Sequence, residues 1–482
     1  MSRNEGDFTL AAPPVRNARF YQAALVGLLA LGVRFYRLDA APLWTDEIFS
    51  WAAAHLPPAR LISFLLEGNN PPLWELLLHG WLRLWGEGEI ALRSLPAIFS
   101  AATAVMLFWL GTHTGGKWAG WMAALLWIFS DYGQSIGREG RAYALLGLLT
   151  LLTHAAFLRW RTQGKGAFLW ALLAWLLFHT HYLGGTIIAF HLACLIAQRA
   201  WKPLRAGLAY LLPGIALSGI IFLDRLIAHS QSETGAFASL EGFYNMLWRF
   251  SNQPVPTVLA LLSVVSGLVW TQGRLLRSYP YLAFWGIFLP LWLAAHIAPV
   301  WQARYLMPAA VAYYWVLGHT VSALPPVGRW ISSFTLLTAW GISWNPTPPG
   351  PIPFHRELGQ LIAQKPAQHY LVAMPAWITL EWLPYLPLKS KSRFSADYFS
   401  ETQREMYLRH RVIGASHYTE LPVCELQAAD TLWILDYNYA WSFPHGILPA
   451  LLRKEWQPVR MYEFGNGVKL WIGVRAEGAP SS

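Results

Sequence analysis

Asp46 and Glu47 stand side by side in PLWTDEIFSWAAAHL, residues 42–56, just beyond an apolar run and among Trp44, Phe49 and Trp51. A carboxylate placed there could act as a general base, taking the proton of an attacking hydroxyl. The same pair could instead only start a helix, with Thr45 as N-cap and both acids in the positively polarised first turn. Three further clusters carry groups suited to an anion or a sugar. In GREGRAY, Arg138 and Arg141 are three residues apart and would lie near one helix face. HTHYLGG holds His179, His181 and Tyr182, and QARYLMP holds Arg304 and Tyr305. Arginine suits phosphate because its planar fork can donate to two oxygens at once. Each cluster also has a plainer use, such as anchoring a helix end or satisfying an interfacial polar group.

The elements that must position these residues read as membrane helices. Of the 482 residues, 55% are hydrophobic and only 13% charged, about half the charge density of a soluble domain. Mean hydropathy is +0.32. The 28 Trp residues fit a belt at the headgroup level of a bilayer. Apolar spans fall near 21–36, 92–112, 118–134, 142–158, 167–181, 184–198, 206–223, 255–271, 281–297, 304–321 and 329–344. These predict an all-α polytopic membrane protein of about eleven transmembrane helices. The first run follows a polar N-terminus and carries no cleavage pattern, so it reads as a retained helix.

Charge then orients the chain. With the N-terminus inside, the inner segments hold thirteen Lys and Arg residues against five on the short outer segments, all five of them Arg. That follows the positive-inside rule, so the net charge of +10 implies no nucleic acid. An odd helix count puts the C-terminal region outside. The first outer loop, 37–91, is too long for a simple connector. Its runs DEIFSWAAAHL and PPLWELLLHGWLRLWG are amphipathic. Residues 1–344 read as the membrane domain and 345–482 as a small extracytoplasmic α/β domain, with a Pro-rich linker, strand-like TLWILDYN and VKLWIGV, and a helical ETQREMYLRHRVI. Cys194 lies in an apolar span and Cys424 in the polar tail, which gives neither a disulfide framework nor a Cys-based metal site.

In that frame all four clusters fall on one outer face. PLWTDEIFSW, NNPPLWELLLHGWLRLWGEGEIALRSLPAIFSA, REGRAYALLGLL, HTHYLG and ARYLMPA also follow one another in the order of membrane glycosyltransferases of the GT-C fold. The chain resembles their bacterial branch, related to protein O-mannosyltransferases and aminoarabinose transferases, over roughly residues 20–320. The resemblance implies a polyprenyl-phosphate sugar donor and an acceptor meeting at the outer face of the bacterial cytoplasmic membrane. Asp46 then matches the family's catalytic base and Glu47 its neighbour. The family's Glu-x-Arg-x-Tyr pattern falls on Glu139, Arg141 and Tyr143. Arg304 matches a late arginine suited to the donor phosphate, with Arg138, Arg141 and Tyr305 beside it in that role. His181, Tyr182, Asn70 and Trp44 complete the expected substrate contacts. Arg138 stands where the family commonly has Gln, and Asn70 where it often has His.

Such a donor already carries a phosphate leaving group, so it needs positive charge rather than a protonating acid. One carboxylate and one displacement give inversion. No metal is required, although Glu47 and Glu139 leave a divalent ion possible. The acceptor could be a lipid, a glycan or a protein hydroxyl. Two other classes compete. A non-catalytic lipid- or glycan-binding scaffold would keep the arginines and aromatics but need no base. A secondary transporter would place its ionisable groups near the bilayer midplane in repeated halves, whereas here they sit at helix ends.

Overall fold

The computed structural model describes residues 16–482 apart from 68–69, 230–236, 299, 347–353, 375–383, 387–410, 415–425, 427–428, 437–455, 465–467 and 476–482. In chain order its helices are α1 (Arg16–Phe35), α2 (Thr45–Ala54), α3 (Pro58–Glu67), α4 (Leu73–Trp85), α5 (Glu89–Ile128), α6 (Asp131–Arg138), α7 (Tyr143–Gln163), α8 (Ala167–Thr180), α9 (Gly185–Ala197), α10 (Trp201–His229), α11 (Leu240–Phe250), α12 (Pro254–Trp270), α13 (Tyr279–Ala294), α14 (Met307–Ala323), α15 (Pro326–Ser343) and α16 (Phe354–Ala363). Five strands follow: β1 (Tyr370–Met374), β2 (Val412–Gly414), β3 (Thr431–Asp436), β4 (Trp456–Glu463) and β5 (Lys469–Arg475). The chain divides into two compact units, one of Met1–Leu38, Ile62–Trp81 and Ile90–Pro348, the other of Asp39–Leu61, Leu82–Glu89 and Pro349–Ser482.

The first unit is helical. The apolar spans read from the sequence fall on its helices, the second on the first half of α5 and the third on its second half and the start of α6. Gly116 separates those halves at φ 83, a left-handed conformation that glycine adopts without a Cβ clash. Beyond that turn the halves approach closely: a Cβ on Gly111 would lie 2.8 Å from the Gly120 Cα. By length and hydropathy, three helices among the described residues suffice to cross a membrane: α1 within Ala18–Phe35, α5 and α7. The pair α11 and α12 would add a fourth, bent by 90°, while α8, α9 with its preceding turn, and α13 are apolar but shorter.

Two buried polar assemblies hold this unit together. Arg34 of α1 is fully buried and donates from Nε to Ser100 Oγ (2.8 Å), and from its Nη atoms to Gln134 Oε1 (2.7 Å) and to the carbonyls of Ile128 (2.8 Å) and Trp127 (2.9 Å). A buried guanidinium is tolerable only with such satisfaction, and this one pins α1 against α5 and α6. Room for it comes from Gly133 and Gly137, where a Cβ would stand 2.7 Å from Arg34 atoms. The second assembly links four helices. Trp170 Nε1 of α8 donates to His191 Nδ1 of α9 (3.0 Å), and His191 Nε2 lies 2.9 Å from both His154 Nδ1 of α7 and Tyr279 Oη of α13.

The second unit contains a mixed five-stranded sheet of order β2-β1-β3-β5-β4. β1 pairs parallel to β2 and β3, and β5 antiparallel to β3 and β4. Val372, Leu432, Ile434 and Trp456 belong to its buried core. The strand-like TLWILDYN and VKLWIGV thus become β3 and β5. In ETQREMYLRHRVI, read as helical, Val412 and Ile413 are instead strand residues of β2, where the buried β-branched pair lies beside Leu371 and Val372 of β1 and that packing overrides local helix propensity. Residues 401–410 of that run, and most of the Pro-rich linker, lie outside the described residues.

Candidate functional site

In the helical unit, α6 ends at Arg138 and α7 begins at Tyr143. Glu139 and Arg141 therefore lie in a break, and the two arginines do not share a helix face as their spacing suggests. They separate into different surroundings. Arg141 Nη1 is 3.9 Å from Glu75 Oε1, and its Nη2 donates to Asn70 Oδ1 at 3.3 Å. Arg138 donates to the Tyr36 carbonyl beyond the end of α1. Burial and the neighbouring charges of Arg93 and Arg37 lower its pKa to about 10.

Arg304 and Tyr305 occupy a 3₁₀ turn, Ala303–Leu306, just before α14 rather than in its first turn. Tyr132 of α6 donates its hydroxyl to the Ala303 carbonyl at 2.8 Å, which ties that turn to α6. Arg304 Nε donates to Gln302 Oε1 at 3.0 Å. The guanidinium carbon stands 5.9 Å from the Tyr143 ring centre and 5.6 Å from that of Tyr305, cation–π range. His181 joins them, its ring centre 5.8 Å from Tyr143 and 5.2 Å from Tyr305. Its Nδ1 accepts the Leu183 N–H at 3.2 Å, which orients the ring. Tyr143 also lies within electrostatic reach of Arg141, Arg304 and Glu139. The geometry thus gathers Arg304, Tyr305 and His181 around Tyr143, with the charges of Arg141 and Glu139 also reaching it. Tyr182 packs instead on Phe178, 5.4 Å away, and His179 is buried in α8. Glu75, Arg93 and Gln302 were not singled out from sequence. A carboxylate in the apolar run LWELLL signals a buried ion pair, since Glu is rarely buried unless paired, and Glu75 is 2% exposed.

The acidic pair belongs to the other unit. α2 begins at Thr45, so its N-cap is Trp44 and not Thr45. Glu47, at the third helical position, is buried and accepts the Trp44 N–H at 3.2 Å, one half of a capping box. Asp46 is half-buried, about 100° around the helix from its neighbour. The far end of α2 is fastened as well. Trp51 Nε1 donates to the Glu87 carbonyl (2.9 Å), His55 Nδ1 to the Trp51 carbonyl (2.6 Å), and His55 Nε2 is 3.4 Å from a Glu87 carboxylate oxygen. Of the two acids, the structure gives Glu47 the capping task. No group of three or more His, Cys, Asp or Glu side chains suited to a metal occurs among the described residues.

No protein-family model matches the chain, and no curated protein sequence does either. Solved structures do. The chain is similar to ArnT from Cupriavidus metallidurans bound to undecaprenyl phosphate, with TM-score 0.58 and 12% identity over 96% of this chain and 99% of that one. The apo state of the same protein gives TM-score 0.57 and 11% identity over 95% and 98%. The Archaeoglobus fulgidus oligosaccharyltransferase, tethered with an acceptor peptide, gives TM-score 0.50 and 11% identity over 95% of this chain and 74% of that one. At these identities the likeness speaks to architecture, and it spans nearly the whole chain: the protein has the GT-C fold of membrane glycosyltransferases.

Proposed function

We propose that the protein is a membrane glycosyltransferase that moves a sugar from a polyprenyl-phosphate donor to an acceptor hydroxyl at the outer face of the bacterial cytoplasmic membrane. What supports this most is the gathering of Arg304, Tyr305 and His181 around Tyr143, with Arg141 in electrostatic reach, in a chain of this fold. Of the similar structures, one holds undecaprenyl phosphate and one an acceptor peptide, in keeping with a polyprenyl-phosphate carrier and a separate acceptor.

In the proposed reaction, Asp46 takes the acceptor proton as the acceptor oxygen attacks the anomeric carbon. The bond from that carbon to the phosphate oxygen breaks, and its electron pair leaves with polyprenyl phosphate. The leaving phosphate gains a second negative charge, so Arg304 and Arg141 bind it more tightly as the bond breaks, which is where binding accelerates a reaction. Attack from the face opposite the phosphate inverts the anomeric centre. No metal enters these steps. The acceptor is a lipid, glycan or protein hydroxyl. A binding scaffold would use the same arginines without needing Asp46.

Deleting the protein should cause a polyprenyl-phosphate sugar to accumulate, detected by mass spectrometry of extracted lipids and cleared by the restored wild-type chain. No accumulation would sink the proposed activity. The topology is tested separately. With the N-terminus inside and an odd number of crossings, cysteines introduced at Arg60 and Gln457, both exposed, should react alike with an impermeant thiol reagent on intact cells. Opposite labelling would refute that arrangement.

A further inference from the structure

We propose that Tyr385, with His355 and Arg356, is a positioning residue for Asp46, so that the C-terminal part of the chain sets where the base's helix begins. The proposal rests on Asp46 being the base. It starts from the backbone of Leu43, a buried residue immediately before the N-cap of α2. Its N–H donates to Tyr385 Oη at 2.7 Å, and its carbonyl accepts from His355 Nδ1 at 3.0 Å. Both backbone polar groups of one residue are thus held by side chains more than 300 residues further along.

The holders are themselves held. The Tyr385 hydroxyl donates to Glu89 Oε1 at 2.7 Å, and Arg356 donates to the other oxygen of that carboxylate. Arg356 also donates to the Asp39 carbonyl at 3.1 Å. Tyr385, Arg356 and Glu89 thereby form a closed frame around Asp39–Leu43, the stretch that leads into α2. Burial and the Glu89 carboxylate keep the phenol above its ordinary pKa, so it remains a donor. α16 passes Tyr385 as only glycine permits: a Cβ on Gly359 would lie 2.6 Å from the Tyr385 Cβ.

Asp46 lies three residues past this clamped residue. A helix start that shifts carries the carboxylate with it, and a misplacement of about 1 Å can cost on the order of 10²-fold in rate. A frame that only stabilised the fold would not act through the base.

The test uses the full-length protein in membranes loaded with the polyprenyl-phosphate sugar that accumulates on deletion. Tyr385→Phe removes one oxygen and should slow clearance of that lipid roughly 10- to 100-fold, while undecaprenyl phosphate binding is unchanged. Gly359→Ala keeps the hydroxyl but displaces it, and should behave the same way even if Tyr385→Phe fails to fold. On an Asp46→Asn background neither change should slow the residual rate further, because residues acting through one another are not additive. Wild-type clearance by both variants, equal slowing on the Asp46→Asn background, or a parallel loss of undecaprenyl phosphate binding would overturn the positioning role. An unimpaired Asp46→Asn protein would remove the base itself, and the positioning with it. An inactive one beside unimpaired Tyr385→Phe and Gly359→Ala would remove only the positioning.

Discussion

Asp46→Asn is expected to give a folded, membrane-inserted protein whose sugar transfer has fallen by roughly 10²–10⁴, the range typical of losing acid–base catalysis. The structure separates that loss from a loss of fold. Glu47 accepts the Trp44 N–H and caps α2, and Asn at 46 keeps the shape and capping ability of Asp while giving up the attraction of a carboxylate to the helix start, about 0.3–1 kcal/mol. Basicity disappears while shape stays. Glu47→Gln should cost less in transfer and more in thermal stability, because Glu47 is buried where Asp46 is half-buried. The measurements are transfer rate and melting midpoint on the same preparations. Near-normal transfer by Asp46→Asn, or a greater loss from Glu47→Gln, would show that the wrong carboxylate or the wrong role has been chosen. An Asp46→Asn protein that still bound undecaprenyl phosphate but did not transfer would count against a binding scaffold.

Arg304→Ala is expected to weaken undecaprenyl phosphate binding by about 3 kcal/mol, roughly a hundredfold, since each hydrogen bond to a charged group contributes about 1.5–3 kcal/mol and a fork can make two. Arg304→Lys keeps the charge but loses the fork, and should recover only part of the affinity. The side chain is already aimed: Gln302 takes its Nε, and Tyr143 and Tyr305 lie beside the guanidinium. Titration of the purified protein with undecaprenyl phosphate measures the effect. Unchanged affinity in Arg304→Ala would remove the assignment, and Arg141, whose charge also reaches Tyr143, would become the residue to examine.

The long apolar runs were legible as helical because each needs only its own composition to be recognised, but the count of eleven crossings was not: two runs share α5, and three helices among the described residues, or four with the bent pair, are long and apolar enough to cross a membrane. Also legible were β3 and β5, whose β-branched and aromatic content suits a half-buried sheet. The gathering of Arg304, Tyr305, Tyr143 and His181 was legible as types and order, not as contacts. What stayed hidden depends on partners distant in sequence. Arg138 and Arg141 read as a helical pair, yet Arg138 finds a carbonyl 102 residues away, and Arg141 finds Asn70, 71 residues away. Arg34 looks like a basic residue at a helix end until Ser100, Gln134 and two carbonyls enclose it. Trp44 as N-cap could not be read either. Its side chain is no capping group, and the backbone geometry is set by the frame around Leu43.

The line of polar groups through α7, α8, α9 and α13 bears on how the cell stores energy. A row of imidazoles and a phenol inside a membrane protein is what proton pumps and proton-coupled carriers use as a conduit. This row ends at Trp170. An indole N–H donates but has no lone pair to accept with, so a proton reaching His191 cannot hop onward through it. Because the indole occupies His191 Nδ1, protonating that nitrogen means breaking the bond. The four helices are therefore joined by polar contacts without offering the protonmotive force a way across along this line.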